Sequence, residues 1–239
     1  MTDALPEPPR PQRRARPGRK RALDRDAVVE AAIRVLDAEG LDAVTIRRVA
    51  HELGVGAASL YAYVDSKDSL IELVLDHVIG EVDYTRYPDG RPWQEQLKEL
   101  IRSTRDVFNA HRDVARASLG RIPSGANSLR AMETLLAVLR RSQLSDQVIA
   151  YAGDLIGLLI GAASYEESLF AESGLDYEEF HQYIEQFRDY LGSLPADRFP
   201  LLVELAGPLT HVDPGQDSRF EFMLDVIVRG LDSLRDPSS

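Results

Sequence analysis

The chain has 239 residues, 44% of them hydrophobic and 28% charged, proportions that point to a globular protein of one or two domains. It has no cysteine, which excludes disulfides, thiolate metal sites and a cysteine nucleophile. The net charge of −11 is unevenly placed: residues 1–23 hold seven Lys/Arg against two Asp/Glu, whereas residues 68–239 hold sixteen against twenty-nine, a pattern suited to a polyanionic partner at the N-terminal end.

In chain order, residues 1–22 are rich in Pro and Arg, lack periodic apolar positions, and are expected to form a disordered basic arm, not a signal peptide. Asp24 is placed to cap a helix whose stripe is Val28, Val29, Ala32, Ile33, Val35 and Leu36, ending at Gly40. Thr45 then caps a short helix with Ile46, Val49, Ala50 and Leu53 turned inward. Gly54-Val55-Gly56 breaks it, another short helix runs to Tyr63, and Asp65 or Ser66 caps a longer one over KDSLIELVLDHVIGEV. Beyond Asp83, Trp93, Leu97, Leu100, Ile101, Thr104, Val107 and Phe108 repeat at spacings of three and four. Further helices fit 113–119, 128–141, 145–172, 176–191 and 219–234, with GRIPSGAN, GSLPADRFP and AGPLTHVDPGQDS as breakers. No stretch alternates convincingly, so the expected fold class is all-α. The most apolar stretch, residues 155–165, is shorter than the ~20 residues of a membrane span. A cytoplasmic protein without a membrane partner is expected.

Two helices joined by a short glycine turn make a helix-turn-helix, whose second helix enters the DNA major groove. Here Val49, Ala50, Leu53, Val55, Leu60 and Val64 are the inward positions, with Ala50 small at the crossing and Gly54 at the left-handed turn. Over about residues 23–82 the stretch also resembles the DNA-binding domain of the TetR family of bacterial repressors, through EGLDAVTIRRVAHELGV followed by LYAYVDSKDSL. The resemblance implies a helix-turn-helix domain at 23–66 and a helical effector-binding and dimerisation domain at 67–239. It further implies a homodimer on a near-palindromic double-stranded operator, released when a small hydrophobic effector shifts the helix over 67–82.

The same resemblance assigns residues. Arg47 takes the guanine-reading position, where bidentate bonding to O6 and N7 is available to arginine, and Thr45 takes a phosphate-holding position. Gly56, Ala57, Ala58 and Ser59 form the small-residue tip that lets backbone approach base edges, while Tyr61, Tyr63 and Lys67 grip the DNA backbone. Arg48 and DNA shape add to specificity. Arg13, Arg14, Arg16, Arg19, Lys20 and Arg21 of the arm suit a narrow minor groove. Gly153, Gly157 and Gly161 recur every four residues with Ser164 on the same face. The expectation is a dimer interface, completed by Phe220, Met223, Leu224, Ile227, Leu231 and Leu234 of the last helix; close packing within one subunit is the alternative. Phe108, Met132, Leu136, Tyr151, Leu155 and Tyr165 are the candidate effector contacts.

No cofactor, metal or catalytic site is expected. GVGAAS follows a helix and so does not fit a dinucleotide loop. His51, His77, His111, His181 and His211 do not cluster, and His77 with Glu81 suits a solvated helix face. The competing functions are a DNA-binding activator, an architectural protein without an effector, and an all-α enzyme with a hydrophobic cavity.

Overall fold

The computed structural model describes residues 23–122, 124–174, 176–212 and 217–235. All regular elements among them are helical. The arm with Arg13, Arg14, Arg16, Arg19, Lys20 and Arg21 lies outside the described residues.

The first four helices form a head. Helix α1 (Arg25–Glu39) starts where the Asp24 carboxylate accepts the Ala27 N–H at 2.8 Å, satisfying a donor that the first turn cannot. Gly40 stops it with φ +86°, and a 3₁₀ turn (Leu41–Ala43) leads to α2 (Ile46–Leu53). Thr45 Oγ1 accepts the Arg48 N–H at 3.1 Å. Gly54, at φ +67°, turns the chain left-handed, so that Val55 N–H bonds back to the Ala50 carbonyl at 3.0 Å. Helix α3 spans only Ala57–Leu60, shorter than the expected run to Tyr63, because residues 61–63 form turns. Helix α4 (Lys67–Ile79) begins with reciprocal bonds between Ser66 and Ser69. Val28, Leu36, Val49, Leu60 and Leu70 fill the space between the four helices.

The body comprises α5 (Trp93–Ala110), α6 (Val114–Ser118), α7 (Ala126–Arg140), α8 (Asp146–Glu172), α9 (Tyr177–Gly192), α10 (Pro200–Glu204), α11 (Ala206–Leu209) and α12 (Ser218–Ser233), with a 3₁₀ turn at Tyr84–Arg86. Helix α11 occupies a stretch expected as a breaker, and α10 lies between two such stretches, sharing only Pro200 with the first. Pro200 starts α10, where a missing N–H leaves no helical bond unmade. Helices α9, α10 and α11 pack on one another. One apolar core joins α1 through α8 with α12, so head and body are not separately packed.

Two features position the site. First, α4 is pinned to α7: the Asp76 carboxylate accepts the Ser128 N–H and hydroxyl, both at 2.8 Å, and Asn127 Nδ2 donates to the Asp76 carbonyl at 3.1 Å. Gly125 allows this approach, since a Cβ there would overlap the Asp76 carboxylate. Second, α8 is longer than its apolar stretch suggested. Over Asp146–Ala171 it has the length and composition of a membrane-crossing helix. Its Ile149, Ala152, Ile156 and Ile160 are buried, and it packs on α5, α6 and α7 as one wall of the body.

Candidate nucleic-acid interface and internal cavity

The helix-turn-helix presents a small-residue tip. Gly56, Ala58 and Ser59 are exposed, Ala57 is half-buried, and the buried Leu60 holds α3 down on α2. Arg47 is exposed on the first turn of α2 and makes no ion pair among the described residues. Tyr61 projects beyond the tip with 58% of its surface exposed.

Four of the expected DNA contacts are engaged within the protein. Arg48 is held between α1 and α2, donating to Glu39 at 2.5 Å and Glu52 at 3.1 Å. Tyr63 donates its hydroxyl to the Leu23 carbonyl at 2.8 Å and thereby closes the start of α1 onto the turn after α3. Lys67 Nζ lies 3.5 Å from the Asp42 carbonyl, and Thr45 spends its oxygen on the α2 cap. Arg47, Ser59 and Tyr61 are therefore the side chains most available to a groove.

Behind the head lies a cavity of about 760 Å³. Helix α4 supplies Leu75 and Ile79; α5 supplies Leu100, Ile101, Thr104 and Phe108; α7 supplies Met132 and Leu136; α8 supplies Gly153, Ile156, Gly157 and Ile160. The remaining wall is the end of α6 and the segment after it, including Leu119, Arg121 and Ile122. Of the six expected effector contacts, Phe108, Met132 and Leu136 line this space. Tyr151 and Leu155 point outward, exposed by 65% and 47%, and Tyr165 packs on the core away from the cavity.

The glycines take the place those residues were expected to fill. Gly153 and Gly157 line the cavity, and a Cβ on Gly161 would stand 3.2 Å from Leu119 Cδ2 of the same chain. Ser164 is buried within the protomer as well. On α12, Phe220, Leu224 and Leu231 are buried and face inward, while Met223 and Ile227 are half-buried. Ion pairs between Lys98 and Asp225 and between Arg102 and Glu221 fix that orientation against α5. Outward apolar residues include Phe222 and Val226 on α12, Leu234 just past its end, and Tyr151 and Leu155 on α8.

Sequence reasoning did not find the joints between cavity wall and head. At the start of α6, Asp113 is buried and its Oδ2 accepts the Leu41 N–H at 2.7 Å. Arg116 of α6 pairs with Asp42 at 2.6 Å, and Arg121 pairs with Asp68 of α4 at 2.8 Å. His111 sits between Asp37 of α1 and Glu81 beyond α4, each at 3.1 Å. No local motif marks these partners, which lie 30 to 74 residues apart. Among the described residues no group of His, Asp and Glu has the arrangement of a metal site.

A helix-turn-helix head sharing its core with a helical, cavity-bearing body defines a ligand-responsive, DNA-binding transcriptional regulator. The sequence profile "Bacterial regulatory proteins, tetR family" matches residues 28–74, and "Tetracyclin repressor-like, C-terminal domain" matches residues 87–235. The chain belongs to the TetR family. It is 32% identical over 227 residues to the HTH-type transcriptional repressor DrrR1 of Streptomyces coeruleorubidus, an alignment covering 93% of this chain and 82% of DrrR1. The TetR family protein ActR of Streptomyces coelicolor, in complex with actinorhodin, superposes with a TM-score of 0.82 at 43% identity, covering 91% of this chain and 99% of ActR. Apo ActR superposes with a TM-score of 0.78 at the same identity, covering 90% and 99%. These relatives are regulators rather than enzymes by name.

Proposed function

We propose that the protein is a cytoplasmic homodimeric repressor that leaves its operator when a small, largely apolar molecule fills the cavity. The observation that carries this is the double role of the segment from Asp113 to Ile122. It walls the cavity through Leu119 and Ile122, and it bonds the head through Asp113, Arg116 and Arg121. A ligand that moves that wall acts on α4 and on the turn before α2 together. Complete switching from 1:99 to 99:1 requires the ligand to prefer one state by ~5.5 kcal/mol.

Dimerisation is supported by the exposed Leu155, Phe222 and Val226, which leave apolar surface on α8 and α12 that a second copy would cover. In such a dimer two α3 tips reach successive major grooves, ~34 Å apart, on a near-palindromic site. Arg47 and Ser59 read base edges there, Tyr61 contacts backbone, and the basic arm adds phosphate contacts. The division into a DNA-binding part at 23–66 and an effector and dimer part at 67–239 belongs to the same reading.

The test is selection from a random duplex pool with the full chain, followed by fluorescence anisotropy on the selected site. A palindromic motif and loss of binding on adding a cavity ligand are expected. Actinorhodin and (S)-DNPA, which occupy the ActR structures, are the first compounds to add. A folded protein that selects no motif overturns the repressor reading. One that selects a motif but responds to no ligand removes the effector from it.

A further inference from the structure

The cavity wall contains one feature that an apolar container does not need. Tyr84, in the 3₁₀ turn between α4 and α5, lines the cavity and is only 6% exposed. Its hydroxyl is buried and has no hydrogen-bond partner. Of the buried side-chain polar atoms without a partner among the described residues, it is the one that belongs to this cavity. Thr104 stands nearby on α5 and donates its hydroxyl to the Leu100 carbonyl at 2.8 Å; its oxygen could still accept, but it makes no bond of hydrogen-bond geometry with Tyr84. The apolar lining residues, including Leu75, Ile79, Leu100 and Ile101, offer nothing to a donor. A buried, unpaired phenol is less favourable than phenylalanine in the same place unless something arrives to bond it.

We propose that the Tyr84 hydroxyl donates a hydrogen bond to an oxygen of the effector, so that the cavity selects carbonyl-bearing apolar molecules over hydrocarbons of the same shape. This rests on the effector-cavity reading above. Burial pushes the Tyr84 phenol up to about 12, with Thr104 opposing only in part, so the group keeps its proton and remains a donor at every physiological pH. Selection arises because a ligand without an acceptor leaves that donor unmade, whereas one with an acceptor satisfies it out of water. The apolar part of the lining contributes burial, which does not distinguish the two ligands.

The experiment is calorimetric titration of the full chain with 9-fluorenone and with fluorene, which share a three-ring frame and differ by one carbonyl oxygen. Wild type is expected to bind fluorenone about three- to tenfold more tightly. Tyr84→Phe is expected to erase the difference. Tyr87→Phe, which removes another buried hydroxyl outside the cavity lining, is expected to keep it. Equal affinities in wild type, or a preference that survives Tyr84→Phe, overturn the proposal and leave the repressor reading standing. Failure of both compounds to bind overturns the effector cavity, and this proposal with it. A ligand-free measurement is decisive on the premise: Tyr84→Phe should melt at or above the wild-type temperature, and a fall shows that the hydroxyl is bonded within the protein.

Discussion

The Asp113 carboxylate accepts the Leu41 N–H at 2.7 Å, joining residues 72 positions apart. Asp113 opens α6 at φ +59°, and Leu41 follows the Gly40 stop of α1, so the bond ties the cavity wall to the approach to the helix-turn-helix. Asp113→Ala should lower unfolding free energy by about 1–3 kcal/mol, since it strands a part-buried N–H. Asp113→Asn should lose less, because it keeps an acceptor and asparagine tolerates the left-handed conformation. Urea melts measure both. Asp113→Ala should also weaken the effect of a cavity ligand on operator affinity, read by anisotropy.

His111 predicts a pH dependence. Burial alone would push its imidazole down, but hydrogen bonds to Glu81 and Asp37 outweigh it and hold the pKa above 6.5. The folded state therefore favours the protonated ring. That contribution is complete below the unfolded value and is lost as pH rises through the folded one. The urea midpoint of wild type should fall as pH rises from about 6 to 8, and the profile of His111→Gln should be flatter over the same window.

Two adjacent arginines should behave differently. Arg47→Ala should cost about 1–3 kcal/mol of operator affinity, concentrated at one base pair of the selected site. Arg48→Ala should cost less and should not alter base preference, because its guanidinium is already shared between Glu39 and Glu52. Anisotropy on single-base variants of the operator separates the two cases.

Gly157 faces open space in the cavity. Gly157→Ala should raise stability by about 0.5–1 kcal/mol, because a helical glycine is replaced without a clash. Gly157→Leu should extend into the cavity and abolish ligand uptake, leaving operator binding insensitive to ligand. Thermal melts and calorimetric titration distinguish these outcomes.

Local chemistry made the head legible. Asp24, Thr45, Ser145 and Asp176 cap the helices they precede, and Gly54 turns left-handed where the glycine turn was expected. Helix α8 defeated the same approach because its central stretch is apolar around much of its circumference, so periodicity does not say which side faces in. Its cavity side carries Gly153 and Gly157, and Tyr151 and Leu155 face outward. Arg48 and Tyr63 were expected on DNA because each suits it chemically. Glu52, four residues on, is a local partner for Arg48, but Glu39 and the Leu23 carbonyl lie nine and forty residues away, beyond any local pattern. Tyr84 gave no signal at all, since an unpaired hydroxyl is visible only once its surroundings are known.

The seam at Asp76 has a mechanical consequence. It is a part-buried, multiply bonded pivot, while the far end of α4 is latched by the exposed pair of Arg121 and Asp68. Such surface pairs contribute little, so the latch yields long before the pivot does. From Asp76 to Lys67 the beam is about 13 Å long, and a swing of ~5° carries its free end by ~1 Å. In the proposed dimer, two beams swinging in mirror sense would double the error in span between the reading heads, so that a rigid duplex would feel as misfit a motion that costs the protein very little.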